Sequence, residues 1–138
     1  MKVQIIVDSA CDLQREEAEQ LGLKLMPLRT NFGGEVFLDG VSISHTEFFR
    51  KLTGAKQLPT TSQVPPFDYE AAYREAAAQG AEILVITLSS KLSGTYQSAV
   101  IAAQETGLDV TIVDSENVTA GERVLADLAI RLRDEGFG

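Results

Sequence analysis

The sequence predicts a three-layer α/β/α fold with a mostly parallel, Rossmann-like central sheet and a small hairpin extension. Three short runs rich in β-branched residues, at 3–7, 83–87 and 110–113, have the character of buried strands, and a helical pattern follows each. Strands that alternate with helices favour right-handed crossovers and a sheet covered on both faces. The 138 residues, 44% hydrophobic and 23% charged, are typical of one globular domain.

A fourth strand and a hairpin extend the predicted sheet. Residues 24–28 have strand character, and the segment 31–36 predicts a hairpin that turns at Gly33-Gly34. This glycine pair lacks the spacing of a dinucleotide- or phosphate-binding motif. Residues 53–64 lack periodicity and are predicted to form a long loop, a kind of segment that is often functional.

Each predicted helix has a start or a stop signal. The start signals are capping side chains and a proline pair: Asp12 for the first helix, Ser44 with Glu47 for 46–52, Pro65-Pro66 for 67–79, Ser93 for 96–105, and Thr119 with Glu122 for 121–135. The stop signals are the glycines Gly22, Gly80, Gly107 and Gly136. These signals complete the alternation of strands and helices along the chain.

The charge balance excludes whole classes of partner. The net charge is −8 and the pI about 4.6. Such a surface repels nucleic acid, because proteins bind it with Lys and Arg side chains that neutralise phosphates, and it disfavours anionic membranes for the same reason. No apolar run approaches the roughly 18 residues of a membrane helix. We therefore expect a cytoplasmic protein without a signal peptide or stable membrane insertion, in which local donors would hold any anionic ligand.

Few residues can support covalent or metal chemistry. Cys11 has no basic neighbour in the sequence and is expected to be a buried thiol, and His45 is expected at the surface. Asp8 and Asp114 end two strands, where they are expected to fix loop backbone through Asx-type hydrogen bonds. We therefore assign no metal site, no cofactor and no catalytic residue. The lack of a Gly-x-Ser-x-Gly elbow argues against a serine hydrolase.

Hydroxyl side chains mark the candidate site. In doubly wound sheets, ligands bind beyond the carboxyl ends of the strands, where the strand order reverses. Ser93-Gly94-Thr95 follows a strand there and precedes a helix, whose N-terminus attracts anions. Ser93 is therefore either an ordinary helix cap or part of an anion site, and the two roles are compatible. Thr60-Thr61-Ser62 allows the same alternatives, a capping turn or a ligand contact.

Two longer blocks carry a family resemblance. The sequence resembles the DegV family of bacterial fatty-acid-binding proteins in Pro59-Thr60-Thr61-Ser62-Gln63 and in the run from Ser89 to Ala99, SSKLSGTYQSA. Shorter matches lie in the same order along the chain: Asp8-Ser9, Asp12-Leu13, Pro27-Leu28, Phe32-Gly33, Asp39-Gly40-Val41 and Val113-Asp114-Ser115. Together the two blocks are specific, whereas either alone would be moderate support.

The resemblance implies a lipid carrier and not an enzyme. Family members hold a long-chain fatty acid between two α/β domains, and some present its carboxylate to a separate fatty acid kinase subunit. By motif position, Thr61 and Ser93 correspond to the residues that hold the carboxylate, with Ser62, Gly94 and Thr95 beside them. Family chains are about twice as long, so we expect residues 1–138 to be an N-terminal domain that lacks its second domain. An exposed apolar cleft wall would then favour self-association.

Two other functions remain open at this stage. A small phosphotransferase-type enzyme would use the same anion site, but it would need a base, a metal or a phosphate-binding loop, and none is visible in the sequence. An interaction domain without a ligand would use Ser93 and Thr61 as helix caps only.

Overall fold

The computed structural model describes residues 2–11, 13, 15–32, 35–38, 45–54, 60–118 and 120–136. The strands are β1 (Val3–Asp8), β2 (Leu23–Met26), β3 (Arg29–Phe32), β4 (Glu35–Leu38), β5 (Thr60–Ser62), β6 (Glu82–Thr87) and β7 (Val110–Asp114). The helices are α1 (Arg15–Gln20), α2 (His45–Gly54), α3 (Pro66–Ala78), α4 (Thr95–Thr106) and α5 (Ala120–Asp134). A single 3₁₀ turn, Ser9–Cys11, follows β1. Among the described helices, none is long and apolar enough to cross a membrane.

Four parallel strands form the central sheet, in the order β2-β1-β6-β7. In the registers, Ile5 of β1 lies opposite Leu23 of β2 on one side and Leu84 of β6 on the other. The chain therefore winds outward from β1 in both directions, and the strand order reverses between β1 and β6. The carboxyl ends of these two strands are the point at which such sheets bind ligands.

Helices cover both faces of this sheet, as predicted. On one face α3 and α4 pack on Ile6 and Val85, and on the other α1 and α5 pack on Ile5 and Val7. Successive residues of β1 thus enter opposite layers, as the two-residue period of a strand requires. Tyr69 and Tyr73 of α3 lie entirely within the first layer, and their ring centroids are 5.8 Å apart.

A second, smaller sheet is antiparallel and has the order β4-β3-β5. The β3–β4 pair confirms the predicted hairpin, although its turn at Gly33-Gly34 lies outside the described residues. Arg29 of β3 joins this sheet to α3 through a 2.6 Å ion pair with Asp68. Both side chains are largely buried, so the pair fixes the small sheet against the helical layer.

The predicted loop at 53–64 is wrong in two places. The helix α2 continues to Gly54, and Thr60–Ser62 forms strand β5, paired with β3 so that Thr30 lies opposite Thr61. All three residues of β5 are polar and exposed, so the sequence lacks the alternation of apolar and polar residues that marks a half-buried strand. The pairing with β3 alone makes this segment extended, and it directs Thr61 and Ser62 to the candidate site.

Helix boundaries agree with the predictions to within one or two residues, and the four predicted stop glycines all have positive φ: Gly22, Gly80, Gly107 and Gly136. The strand predicted at 24–28 instead spans Leu23–Met26, because Pro27 has no N–H for the ladder and the Leu28 N–H bonds to Ser9 Oγ at 2.9 Å. Asp12, Ser44, Thr119 and the side chain of His45 lie outside the described residues, so their predicted roles remain predictions.

Candidate functional site

One cavity at the carboxyl edge of the sheet collects most of the predicted site residues. It has a volume of about 350 Å³, and its lining comprises Leu28, Thr61, Ser62, Gln63, Leu88, Leu92, Ser93 and Gly94. The two motifs that contribute its polar side chains are separated in the sequence by all of α3 and β6. The site therefore lies beside the point where the strand order reverses, between the small sheet and the start of α4.

Ser93 and Thr95 form a short hydroxyl chain at the start of α4. Ser93 Oγ lies 3.0 Å from Thr95 Oγ1 and accepts the Thr95 backbone N–H at 3.2 Å. Thr95 Oγ1 also accepts the Val64 N–H at 3.3 Å. Thr95 is fully buried, whereas Ser93 is partly exposed in the cavity wall. Thr95, expected beside the ligand, thus lies beneath Ser93 and outside the cavity lining.

The N-cap residue of α4 is Gly94 and not Ser93, which corrects the predicted cap. No side chain bonds to the first turn from the Gly94 position, and the Gly94 carbonyl accepts the Ser98 N–H at 2.9 Å. The Gln63 side chain lies across Gly94 and donates from Nε2 to Ser98 Oγ at 3.3 Å. A Cβ on Gly94 would collide with Gln63 Oε1 and would lie 2.8 Å from its Cδ. The close approach of Gln63, and not the backbone angles, therefore favours a glycine here.

Two aspartates hold the loops around the cavity. Asp8 Oδ2 accepts the Leu88 N–H at 2.8 Å, and its Oδ1 accepts the Ala10 N–H at 3.0 Å. Asp114 Oδ1 accepts the N–H groups of Ser90 at 3.2 Å and Glu116 at 2.9 Å. Both aspartates therefore fix loop backbone, as the sequence predicted.

Burial dominates the electrostatics beneath the site. It raises the pKa of Asp8 to about 6, despite hydrogen bonds with the Leu88 N–H, the Glu122 side chain and the Ala10 N–H that lower it. Burial likewise raises the pKa of Cys11 to about 12, so this buried thiol is protonated at neutral pH and is a poor nucleophile. Burial would also raise the pKa of Asp114, but hydrogen bonds from Ser90 and Glu116 lower it below its ordinary value.

The cavity offers neutral donors to an anion. Its polar groups are hydroxyls and an amide, and the positive end of α4, a helix of 12 residues, begins at its wall. No group of three or more His, Cys, Asp or Glu side chains within the described residues has the arrangement of a metal site. The arrangement can therefore hold a carboxylate or phosphate by hydrogen bonds, with Leu28, Leu88 and Leu92 as an apolar floor beside them.

Two other depressions lack this combination. A groove of about 420 Å³ runs along the edge strand β2 between α1 and α3, but its charged rim residues are in ion pairs with one another or with neighbours, as Arg15 is with Glu19 and Lys24 with Glu75. A groove of about 220 Å³ beside α5 is almost wholly apolar, with Leu84, Ile86 and Leu128 in its wall. Neither groove contains a serine or threonine.

Comparison with known proteins identifies the family. A family model described as an uncharacterised protein, DegV family, matches residues 2–137. The chain belongs to the DegV family. A DegV domain-containing protein of Clostridium perfringens is 38% identical over 137 residues, which are 99% of this chain and 49% of that protein. The chain thus spans about half the length of the curated relatives it matches.

Solved DegV structures share the fold of this chain. A DegV family protein from Thermus thermophilus, described for its fatty acid binding, matches with a TM-score of 0.90 and 37% identity over 100% of this chain and 49% of its own. A fat acid (stearic acid)-binding protein from Eubacterium ventriosum matches with a TM-score of 0.90 and 29% identity over 99% of this chain and 49% of its own. The mixed α/β architecture with a parallel four-stranded sheet is therefore that of the DegV family.

Four of the five site residues predicted from the sequence line the cavity, namely Thr61, Ser62, Ser93 and Gly94. Sequence reasoning missed Gln63 as a side chain that packs on Gly94, and it missed that Thr95 is buried. Gln63 lies inside the Pro59–Gln63 motif, but its contact with Gly94 joins residues that are 31 positions apart in the sequence. No local pattern signals such a contact.

Proposed function

We propose that this protein binds a long-chain fatty acid and holds its carboxylate in the cavity between β5 and α4. The observation that carries the proposal is the convergence of Thr61, Ser62 and Ser93 at the N-terminus of α4, beside an apolar floor. A carboxylate removed from water is costly unless it is hydrogen-bonded. Each charge-assisted bond from a hydroxyl or an N–H offsets this cost by roughly 1.5–3 kcal/mol.

The apolar side chains of the cavity support an acyl ligand over a small polar anion. Leu28 and Leu88 line the floor, and the side chain of Leu92 beside Ser93 is 65% exposed. Burial of each methylene contributes about 0.8 kcal/mol, so the acyl chain supplies most of the affinity and the hydroxyls supply its orientation. In the two-domain arrangement that the family resemblance implies, the chain beyond Leu92 is enclosed between this domain and a second one.

The chemistry of the site supports a carrier more than an enzyme. Neutral hydroxyl donors leave the carboxylate oxygens unreacted and nucleophilic, while Cys11 is buried and protonated. We propose that the protein presents the carboxylate to a separate fatty acid kinase, which would transfer a phosphoryl group to it. The relatives named above are about twice as long as this chain, so we propose this role for the gene product as a whole.

The test is a fatty acid titration of the full-length gene product. Hexadecanoic acid is titrated against the wild type, Ser93→Ala and Thr61→Ala, with Thr111→Ala at an exposed position of β7 as the matched control. Loss of one charge-assisted bond is expected to raise Kd roughly 10- to 100-fold in each site variant and to leave the control unchanged. Binding by both site variants at wild-type affinity, or a folded wild type that takes up no fatty acid, would overturn the proposal.

A further inference from the structure

We propose that Thr95 is a positioning residue that commits the Ser93 hydroxyl to donate its hydrogen toward the bound carboxylate. The inference rests on the proposed function and adds a residue that does not line the cavity. It follows from which group donates and which accepts in a hydrogen-bonded chain of three groups, namely the Val64 N–H, Thr95 Oγ1 and Ser93 Oγ. This chain begins in the core and ends at the wall of the cavity.

The direction of the chain is set at its buried end. The Val64 backbone N–H can only donate, and it donates to Thr95 Oγ1 at 3.3 Å where both residues are fully buried. Thr95 still has its own hydroxyl hydrogen, which needs an acceptor because an unsatisfied buried hydroxyl is costly. Ser93 Oγ, 3.0 Å away, is the acceptor that the described residues offer. The Thr95 hydroxyl therefore donates to Ser93.

Ser93 is then left with a single hydrogen-bonding role. A hydroxyl has two acceptor lone pairs and one hydrogen. The Thr95 hydroxyl occupies one lone pair, and the Thr95 backbone N–H, at 3.2 Å, occupies the other. The remaining group is the Ser93 hydrogen, and Ser93 is a lining residue of the cavity. Ser93 thus meets a ligand as a donor, which suits a carboxylate because an ionised carboxylate only accepts.

This arrangement predicts selectivity for the anionic head group. Without the Thr95 hydroxyl, one Ser93 lone pair becomes available and the Ser93 hydrogen can rotate away from the ligand. Affinity for the acid should fall, whereas affinity for an alcohol of the same length should change little, because an alcohol both donates and accepts. A general loss of packing at the start of α4 would weaken both ligands equally. A comparison of the affinities for the acid and the alcohol therefore distinguishes a positioning role of Thr95 from a purely structural one.

The experiment measures Kd for hexadecanoic acid and for hexadecanol with the full-length gene product. The variants are Thr95→Val, which keeps the shape, Thr95→Ser, which keeps the hydroxyl, and Ser93→Ala with and without Thr95→Val. Thr111→Val, at an exposed position of β7, is the matched control. We expect Thr95→Val to weaken the acid about tenfold and the alcohol less than twofold, with Thr95→Ser and the control within twofold of the wild type. In the Ser93→Ala background, Thr95→Val should cause no further loss.

Three results would overturn the inference: wild-type acid affinity in Thr95→Val, equal losses for acid and alcohol, or full additivity of Thr95→Val with Ser93→Ala. Thr95→Val also leaves the Val64 N–H without its acceptor, so the thermal midpoint of each variant is measured first. If the valine variant does not fold, Thr95→Cys, with its weak S–H donor, takes its place with the same expected pattern. A wild type that binds no fatty acid would refute the proposed function itself, a separate outcome.

Discussion

The contact between Gln63 and Gly94 explains why a glycine is the N-cap residue of α4, and a double-mutant cycle tests that explanation. The backbone at Gly94 has φ −78° and ψ 6°, which any residue can adopt. The obstacle to a larger residue is Gln63, whose Oε1 a Cβ would strike and whose Nε2 would lie 3.3 Å away. Because Gln63 is exposed, its side chain can swing away from an alanine at position 94.

The expected loss of stability follows from the hydrogen bond that Gln63 gives up when its side chain moves. Its hydrogen bond to Ser98 Oγ, at 3.3 Å, is worth about 0.5–1.5 kcal/mol of net stability. Gly94→Ala should therefore destabilise by about 1 kcal/mol through this bond, with a further cost of similar size because alanine is a poor N-cap. Gln63→Ala should cost about 1 kcal/mol for the same bond. Since the bond can be lost only once, the double variant should recover about 1 kcal/mol relative to additivity.

The assay is urea unfolding of the wild type, the two single variants and the double variant. Gly54→Ala serves as the matched control, because an added Cβ there meets nothing within 4 Å, and its effect should add to that of Gln63→Ala. Additive effects of Gly94→Ala and Gln63→Ala, within about 0.3 kcal/mol, would refute the reasoning. They would mean that another contact, or none, excludes side chains from position 94.

Three further predictions concern the buried frame of the site. Tyr73→Phe should lower the free energy of unfolding by about 1 kcal/mol in urea, because the Tyr73 hydroxyl donates to the Ala99 carbonyl at 3.0 Å. Tyr69→Phe should cause no such loss, since the buried Tyr69 hydroxyl has no hydrogen-bond partner among the described residues. Equal losses in the two variants would contradict this difference. The folded pKa of Asp8, about 6, lies above its ordinary 3.8, so its contribution to stability is present below pH 4 and is lost as the pH rises through 6. The wild type should therefore lose about 2 kcal/mol relative to Asp8→Asn between pH 4 and 7, and a pH-independent difference would argue against a raised pKa. Arg29→Met should lower the thermal midpoint because it leaves the largely buried Asp68 carboxylate on α3 unpaired. Adding Asp68→Asn, which removes that charge, should restore part of the loss. A midpoint unchanged by Arg29→Met would exclude a structural role for the ion pair.

Local chemistry explains why most elements of the fold could be predicted. The strands at β1, β6 and β7 are short, apolar and β-branched, and the helices end at glycines such as Gly107, whose φ of 68° is the left-handed conformation that a helix stop uses. These signals act over a few residues, so they are legible in the sequence. The same holds for one bond of each strand-end aspartate, from the Ala10 N–H to Asp8 and from the Glu116 N–H to Asp114. Their bonds to Leu88 and Ser90 join loops that are distant in the sequence.

The candidate site was predictable in its residues but not in its arrangement. The motifs around Thr61 and Ser93 named the hydroxyls, and the topology of parallel strands placed them at one edge of the sheet. Strand β5 escaped prediction because pairing with β3, and not an apolar pattern, makes it extended. The burial of Thr95 escaped it as well, because a threonine at the start of a helix is ordinarily exposed.

The amino-acid sequence by itself determined the alternating elements and the parallel sheet, because periodicity and capping depend on neighbouring residues. It also named the hydroxyl side chains of the candidate site, whose role as donors is a proposal. Only the tertiary structure decided that Gln63 lies across Gly94 and that Val64, Thr95 and Ser93 form one hydrogen-bonded chain. The Gln63–Gly94 and Val64–Thr95 contacts each join residues 31 positions apart, and they exist only after α3 and α4 have packed on the same face of the sheet. The geometry of these contacts depends on how the segments pack together, so the sequence of one segment does not determine it.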